Sequence, residues 1–273
     1  MNSSAVDLKM AMAVLKARAA INAALDRHDG HGRAAMLFSG GKDSIALAHI
    51  AEPVRDQFEL VWVNTGAMFP HMIEFVRRYG ERFKLVELCS DQPARLRNVG
   101  LPTRIIPFVN TRIGTLVARE PRDRLRLADP GPCCAELRIK PVEDYRIAND
   151  VTLLIHGQKR ADGQASAFYT SPEALAPLWD WTDEDVIAYI GAHGIALPEQ
   201  YTAGEIDSLE CWNCTVALDP ARLRWMRERY PERYREFSAM VEKVYATVPA
   251  EWSTFSHAFA ELHSEQPDPS TAR

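Results

Sequence analysis

The chain alternates short apolar runs with longer segments whose apolar residues recur at helical spacing. Four of the runs have the length of buried strands: 34–38, 58–63, 84–88 and 151–155. After the second run, helical spacing places four apolar side chains on one face: Met72, Val76, Tyr79 and Phe83. Strands that alternate with helices predict an α/β fold built on a doubly wound parallel sheet. Ligands of such sheets lie beyond the carboxyl ends of the strands, where the strand order reverses.

Helical patterns also flank the predicted sheet. An N-terminal amphipathic helix is predicted by five apolar residues at helical intervals: Val6, Met10, Val14, Leu15 and Ile21. Thr182, followed by three acidic residues, predicts the start of another helix. Residues 91–132 show little periodicity and predict a long, partly irregular excursion. We therefore expect three segments: an N-terminal helix at 1–32, an α/β domain at 33–218, and a C-terminal helical extension with a disordered tail at 219–273.

Composition and charge are those of an ordinary globular protein. Charged residues make up 25% of the 273 residues, and the net charge of −5 with a pI near 5.9 argues against indiscriminate nucleic-acid binding. Four charges interrupt the first twenty residues: Asp7, Lys9, Lys16 and Arg18. This start resembles neither a signal peptide nor a membrane span, so we predict a cytoplasmic protein with no membrane partner.

A glycine loop at 39–44 joins the first apolar run to the following helix. Its sequence is Ser39-Gly40-Gly41-Lys42-Asp43-Ser44. Paired glycines let backbone N–H groups approach an anion, and a helix N-terminus adds positive partial charge, so phosphate is the expected ligand. The loop is not a Walker A motif, because Lys42 is followed by Asp43 rather than Ser or Thr. It matches the SGGxDS signature of the PP-loop family, whose members cleave ATP between the α and β phosphates; the alternative is an ordinary glycine turn.

Other polar residues follow neighbouring strands and are expected at the same edge of the sheet. Asn64 and Thr65 follow the second strand, and Gly157, Lys159 and Arg160 follow the fourth. We predict that they lie near the glycine loop and bind nucleotide.

Five cysteines form the second chemical signal, at positions 89, 133, 134, 211 and 214. An odd number of cysteines in a chain without a predicted secretion signal argues against a disulfide framework. Two pairs remain as candidate metal ligands: Cys133 and Cys134, and Cys211 and Cys214. They favour a 4Fe-4S cluster, with structural zinc and unliganded buried thiols as alternatives. Cys89 is interpreted as a small buried hydrophobe or as a reactive thiol.

Together these motifs resemble the phosphoadenylyl-sulfate reductase family within the PP-loop superfamily, over about residues 33–218. The resemblance includes three further segments: Val63-Asn64-Thr65-Gly66 with Phe69-Pro70, Gly157-Gln158-Lys159-Arg160, and Pro177-Leu178-Trp179-Asp180-Trp181-Thr182. It implies an adenine nucleotide α-hydrolase-like fold and phosphate binding by five loop residues: Ser39, Gly40, Gly41, Asp43 and Ser44. It also implies nucleotide contacts from Lys159 and Arg160, and cluster ligation by the four paired cysteines.

The chain departs from that family in three respects. Its reductases share a C-terminal E-C-G-x-H stretch with a nucleophilic cysteine, but no cysteine follows Cys214 here. They tend to have a degenerate glycine loop, whereas this one is intact. Asn64 and His71 replace a more common Asp and Glu. These departures resemble iron–sulfur sulfur-insertion enzymes, such as those of DNA phosphorothioation and tRNA thiolation.

The leading functional hypothesis is an ATP-dependent, pyrophosphate-releasing iron–sulfur sulfurtransferase acting on a nucleic acid or nucleotide. ATP would bind with Mg²⁺, catalysis would rest on Lys42, Asp43 and Arg160, and sulfur would come from a donor such as a cysteine desulfurase. The alternatives are a sulfonucleotide reductase that produces sulfite and a non-catalytic nucleotide-binding subunit.

Two arginine-rich stretches are candidate nucleic-acid contacts. Residues 222–230 interleave arginines with Trp225 and Tyr230, although the pattern favours an amphipathic helix with a solvated basic face. The excursion contributes eight more: Arg95, Arg97, Arg104, Arg112, Arg119, Arg122, Arg124 and Arg126.

Overall fold

The structure is a computed structural model that describes residues 3–28, 31–117, 125–162, 174–203 and 211–264. Two compact units are distinguished: the first contains Met1–Asp91 and Ala135–Cys211, and the second contains Gln92–Cys134 and Trp212–Arg273. Arg119, Arg122, Arg124 and the predicted disordered tail after residue 264 lie outside the described residues. The predicted three-segment division stays a prediction, and the compact units follow different boundaries.

The described strands are short. They are β1 (Arg33–Leu37), β2 (Glu59–Asn64), β3 (Leu85–Cys89), β4 (Leu101–Pro102), β5 (Leu127–Ala128), β6 (Val151–Ile155) and β7 (Ala174–Leu175). The first three predicted strands are displaced by about one residue, a usual uncertainty of boundaries, and the fourth agrees at both ends.

The described helices vary widely in length. They are α1 (Ser3–His28), α2 (Lys42–Ala51), α3 (Pro70–Gly80), α4 (Gln92–Asn98), α5 (Arg112–Val117), α6 (Pro130–Cys134), α7 (Lys140–Ala148), α8 (Asp183–Ala192), α9 (Pro220–Arg229) and α10 (Pro231–Ser264). A π-helical turn, Ala135–Ile139, joins α6 to α7. No helix within the described residues is both long enough and apolar enough to cross a bilayer.

The sheet of the first unit has five parallel strands in the order β3-β2-β1-β6-β7. This confirms the predicted α/β fold with a parallel sheet. The strand order reverses between β1 and β6, so the switch point is where the loops after these two strands meet. β7 was not predicted, because two residues are too few to show a strand pattern.

Apolar side chains cover both faces of this sheet. Trp62 of β2 belongs to the large core cluster, which includes residues of α1, α2 and α8. The neighbouring Val61 points to a smaller cluster against which Tyr145 of α7 packs. Alternate residues of a strand face opposite sides, so buried residues on both sides match a doubly wound sheet.

The N-terminal helix packs through most of the predicted face, since Met10 and Val14 pack against the large core cluster and Ile21 is buried in it. Ala17, Ile21 and Ala24 are buried in the large core cluster, whereas Leu15 is 64% exposed. The inclusion of Leu15 in the buried face was therefore wrong. Alanines make up much of this contact, and a pattern read from the spacing of large apolar residues alone misses them.

The second unit has more regular structure than predicted for 91–132. This stretch includes α4, α5 and the parallel pair β4–β5. The prediction of a partly irregular excursion did not identify these elements, because helices of 7 and 6 residues and strands of 2 are too short to produce periodicity. The predicted long C-terminal helix is also interrupted, since Tyr230 leaves helical geometry and Pro231 begins α10.

Candidate functional site

A pocket of about 260 Å³ opens at the carboxyl edge of the sheet in the first unit. Its walls come from the ends of β1 and β2, the glycine loop and the segment after β6. Ser39, Asp43 and Ser44 line it on one side, and Thr65 lines it beside β2. The volume is near the lower end of the range for small-molecule sites. The pocket therefore lies where the fold places ligands of parallel sheets.

The glycine loop has the backbone that its sequence predicts. Gly40 has φ +76°, a left-handed conformation that glycine adopts without strain. A Cβ at this position would also lie 2.9 Å from the side chains of Met72 and Val76. Gly41 caps α2, so the N-terminus of a ten-residue helix follows the loop. This geometry supports anion binding.

Two hydroxyl groups stabilise the loop through hydrogen bonds to its own backbone. The Ser44 hydroxyl donates to the carbonyl of Gly41 at 2.9 Å, and the backbone N–H of Gly41 donates to Ser39 Oγ at 3.2 Å. The two Oγ atoms are 3.3 Å apart. The loop conformation is thus set before a ligand arrives, which reduces the entropy lost on binding.

Gly157 brings the segment after β6 against the loop. A Cβ added at Gly157 would lie 3.1 Å from the carbonyl carbon of Asp43. Any side chain here would therefore push the two segments apart. The glycine that follows β6 is needed for close approach rather than for a special φ angle.

Lys159 meets the loop through a buried ion pair. Its Nζ lies 2.7 Å from Asp43 Oδ1 and 3.2 Å from carboxylate oxygens of Asp162 and Asp183. Burial disfavours the charged form, but the hydrogen bonds and attraction from Asp43 and Asp162 are stronger and raise the pKa of Lys159. Lys159 is therefore a permanent cation at the base of the loop.

Lys42 joins the same group of charges. Its Nζ lies 3.5 Å from Asp43 and 3.3 Å from Asp183. Burial lowers the pKa of Lys42, but attraction to Asp43 and Asp183 outweighs it and the net shift is upward. For Asp183, burial opposes ionisation, and contacts with Lys159 and Lys42 hold the carboxyl pKa below its usual value.

A thiol and an imidazole line the pocket. Cys211 lines the pocket, and its Sγ lies 3.1 Å from Oγ1 of Thr65, which is buried. His156 also lines it, and burial lowers its pKa to about 4, so its imidazole is neutral at pH 7. The pocket thus combines a glycine loop, a thiol and a neutral imidazole.

Not all predicted site residues line this pocket. The lining includes Ser39, Asp43, Ser44, Thr65, Gly157 and Cys211. Asn64 instead donates to Glu87 at 2.8 Å and accepts from the N–H of Gly66. Arg160 pairs with Asp180 at 2.6 Å and is 70% exposed. Lys159 lies behind Asp43, so its predicted contact with the nucleotide is replaced here by contacts with carboxylates.

Several lining residues were missed. Arg138 enters from the π-helical turn before α7, and Gln158 and Asp162 follow β6. The spacing between Lys159 and Asp162 carries a local signal, because an Asp side chain can accept from the backbone N–H three residues before it, as Asp162 does from Lys159 at 2.7 Å. No comparable local sequence pattern indicated that Arg138 would line the pocket.

The predicted ligation of a cluster by four cysteines is not shown by the structure. Among the described residues, no group of three or more His, Cys, Asp or Glu side chains is arranged to hold a metal ion. Cys133 is buried and Cys134 exposed, so the neighbouring thiols of α6 face different surroundings. Cys211 belongs to the first unit and Cys214 to the second. Four thiols remain a suitable donor set for an iron–sulfur cluster.

The arginine-rich helix α9 does not present its aromatic and basic residues together. Arg222 and Trp225 are buried, and Arg222 donates to the carbonyls of Ala217 and Trp212 at 2.7 and 3.1 Å. Arg224 and Arg227 are exposed. A solvated basic face therefore describes this helix better than a stacking surface.

Comparison with known families supports the assignment suggested by the glycine loop. Residues 33–103 match the phosphoadenosine phosphosulfate reductase domain. This match begins with β1 and ends just beyond β4, so it contains the loop and the Thr65 wall of the pocket.

Related proteins have names from sulfonucleotide metabolism. An adenosine 5'-phosphosulfate reductase of Chelativorans sp. is 26% identical, over 79% of this chain and 82% of that protein. Sulfate adenylyltransferase subunit 2 of Mycolicibacterium gilvum is 29% identical, over 63% of this chain and 59% of that protein. These homologues indicate an enzyme of the PP-loop family.

Two further similarities extend the comparison. An uncharacterized protein of Methanocaldococcus jannaschii is 23% identical over 76% of this chain, which spans about half (47%) of that relative's length. The phosphoadenylyl-sulfate reductase of Candida auris, solved as a phosphate complex, has a TM-score of 0.47 at 12% identity and covers 77% of this chain and 96% of its own.

Proposed function

We propose that this protein is a sulfonucleotide reductase that releases AMP and sulfite from an adenylyl sulfate. The observation that carries the proposal is that the phosphate loop and the Cys211 thiol line one pocket. The named relatives support a reaction in sulfonucleotide chemistry. In this proposal the nucleophile is Cys211, whose thiol lines the pocket, rather than a cysteine of the C-terminal stretch that the family's reductases share.

The reaction follows from that arrangement. The Cys211 thiolate attacks the sulfur of the sulfonucleotide, an S–S bond forms, the O–S bond breaks, and AMP leaves with the electron pair. The loop amides and the N-terminus of α2 stabilise the phosphate that departs. A second, external thiol then attacks Cys211 Sγ, which releases sulfite and leaves a disulfide. Sulfur(VI) is reduced to sulfur(IV) while two thiols are oxidised.

Product analysis tests this function. Wild-type protein with adenylyl sulfate and thioredoxin or glutathione is expected to form AMP and sulfite in equal amounts. Cys211→Ser should abolish sulfite formation, whereas Cys89→Ser should retain it, because Cys89 is exposed at the end of β3 and does not line the pocket. Sulfite formation lost on changing Cys89 and kept on changing Cys211 would contradict the assignment. The 3'-phosphorylated nucleotide is tested in parallel.

The intact glycine loop favours a second candidate, an ATP-cleaving iron–sulfur sulfurtransferase. In it, ATP would bind with Mg²⁺, and the 4Fe-4S cluster would be held by Cys133, Cys134, Cys211 and Cys214. The loop, whose Asp43 faces the pocket, suits pyrophosphate release, and a relative named sulfate adenylyltransferase is consistent with adenylyl transfer. The relatives give no support to a nucleic-acid acceptor, to phosphorothioation or to a desulfurase as donor. Pyrophosphate release from ATP, without sulfite from adenylyl sulfate, would favour this candidate over the reductase.

A further inference from the structure

The ammonium of Lys159 has no donor left for a nucleotide. It is 1% exposed and is surrounded by three carboxylates, those of Asp43, Asp162 and Asp183. A lysine ammonium has three N–H donors. Its three contacts, at 2.7, 3.2 and 3.2 Å, account for all of them.

The three carboxylates come from three separate parts of the first unit. Asp43 stands in the first turn of α2, Asp183 in the first turn of α8, and Asp162 follows β6. One buried cation therefore ties the glycine loop to two other segments. A buried charge is tolerated only with such partners, and removing it leaves like charges close together.

The exposed side of this cluster is acidic. Asp43 and Asp162 line the pocket, whereas Lys159 lies behind them and Lys42 is directed to Asp43 and Asp183. Three carboxylates and two ammonium groups leave one net negative charge. The Asp43 carboxylate faces the pocket where nucleotide phosphates would bind, and Lys159 holds this carboxylate from the side away from the pocket.

We propose that Lys159 is a positioning residue, which fixes the Asp43 carboxylate at the phosphate end of the pocket and acts on nucleotide phosphates only through Asp43. The inference rests on the proposed adenine-nucleotide site and assigns one of its residues a different role. The raised pKa of Lys159 is consistent with a permanent counter-ion.

A double-mutant cycle tests this route of action. The affinity for ATP with Mg²⁺ is measured by calorimetry for wild type, Lys159→Met, Asp43→Asn and the double variant. Lys159→Met is expected to weaken binding about tenfold in the wild-type background and less than about twofold in the Asp43→Asn background. Additive losses would mean that Lys159 contacts the nucleotide itself, and would overturn the proposal.

Two controls separate positioning from loss of structure. Lys84→Met removes a lysine that pairs with buried Glu59 at the opposite end of the sheet, and its nucleotide affinity should stay that of wild type. Lys159→Arg keeps the charge and should recover part of the affinity. If Lys159→Met does not fold, the same cycle is run with Lys159→Gln, which removes the charge of the ammonium but keeps a polar side chain.

AMP binding distinguishes failure of the inference from failure of the proposed function. Wild type is expected to bind AMP, and Lys159→Met to bind it within about twofold of wild type, because AMP has no pyrophosphate to meet Asp43. A wild-type protein that binds neither AMP nor ATP would overturn the nucleotide site and the inference with it. Nucleotide binding by wild type with unchanged ATP affinity in Lys159→Met would overturn the inference alone.

Discussion

His156 shows how burial alone sets the protonation of a pocket residue. Its side chain is 6% exposed, and burial lowers its pKa from 6.5 to about 4. The unfolded chain therefore binds a proton between pH 6.5 and pH 4 that the folded protein does not bind. Stability linked to His156 is complete above pH 6.5 and is lost as the pH falls through this window.

We expect this linkage to appear as a pH-dependent free energy of unfolding. Between pH 6.5 and 4, the wild type should lose up to about 1.4 kcal/mol per pH unit more than His156→Gln, which has no titrating group. Urea unfolding at several pH values measures the difference. Asp43, Asp162 and Arg138 line the same pocket in both proteins, so their contributions largely cancel. Equal slopes in the two proteins would show that His156 does not have the lowered pKa.

At the scale of elements, α8 is held at its start by a capping box. Thr182 Oγ1 accepts from the N–H of Asp185 at 3.2 Å, and the Asp185 carboxylate accepts from the N–H of Thr182 at 3.0 Å. The cap also places Asp183, in the first turn, within reach of Lys159. The start of the helix and the charge cluster of the loop are therefore coupled.

Thr182→Ala should lower the free energy of unfolding by about 1 kcal/mol, because the backbone N–H of Asp185 loses its side-chain acceptor. Thr247→Ala is the matched control. Thr247 lies inside α10 and bonds only back to the carbonyl of Lys243 at 2.8 Å, so alanine at this site should not destabilise the helix. Equal losses for the two variants, measured by urea unfolding, would argue against the cap.

At the scale of the whole molecule, the paired cysteines are divided between the two units. Cys211 belongs to the first, and Cys133, Cys134 and Cys214 to the second. The second functional candidate requires that all four share one cluster, whereas the reductase requires Cys211 as a thiol. Iron and acid-labile sulfide in anaerobically purified protein would show that Cys211 is a cluster ligand and not the free thiol that the proposed reductase mechanism requires.

The cluster candidate makes a specific expectation for variants. Cys134→Ser and Cys214→Ser should lose iron and sulfide together, while Cys89→Ser should keep both. Stoichiometric zinc without sulfide would contradict the cluster. Absence of both metals would leave Cys211 as the pocket thiol of the reductase.

Local patterns were sufficient for four of the five strands of the sheet and for the glycine loop. The period of the apolar runs predicted β1, β2, β3 and β6 within about one residue, because a buried strand shows itself in its own residues. Gly40 and Gly41 predicted a tight turn before a helix, because glycine has no Cβ and adopts a left-handed backbone, as Gly40 does, without strain. The sequence also placed Thr65 and Gly157 at the pocket edge, since both follow strands of one parallel sheet.

Only the tertiary structure decided which of these residues meet. Lys159 pairs with Asp43 from 116 residues away, and Cys211 reaches Thr65 from 146 residues away. Such contacts depend on strand order and on which segment returns to the switch point, and no local propensity encodes either. The sequence therefore determined four strands of the sheet and the glycine loop, whereas the counter-ion of Asp43 and the thiol of the pocket were decided by packing across the sheet.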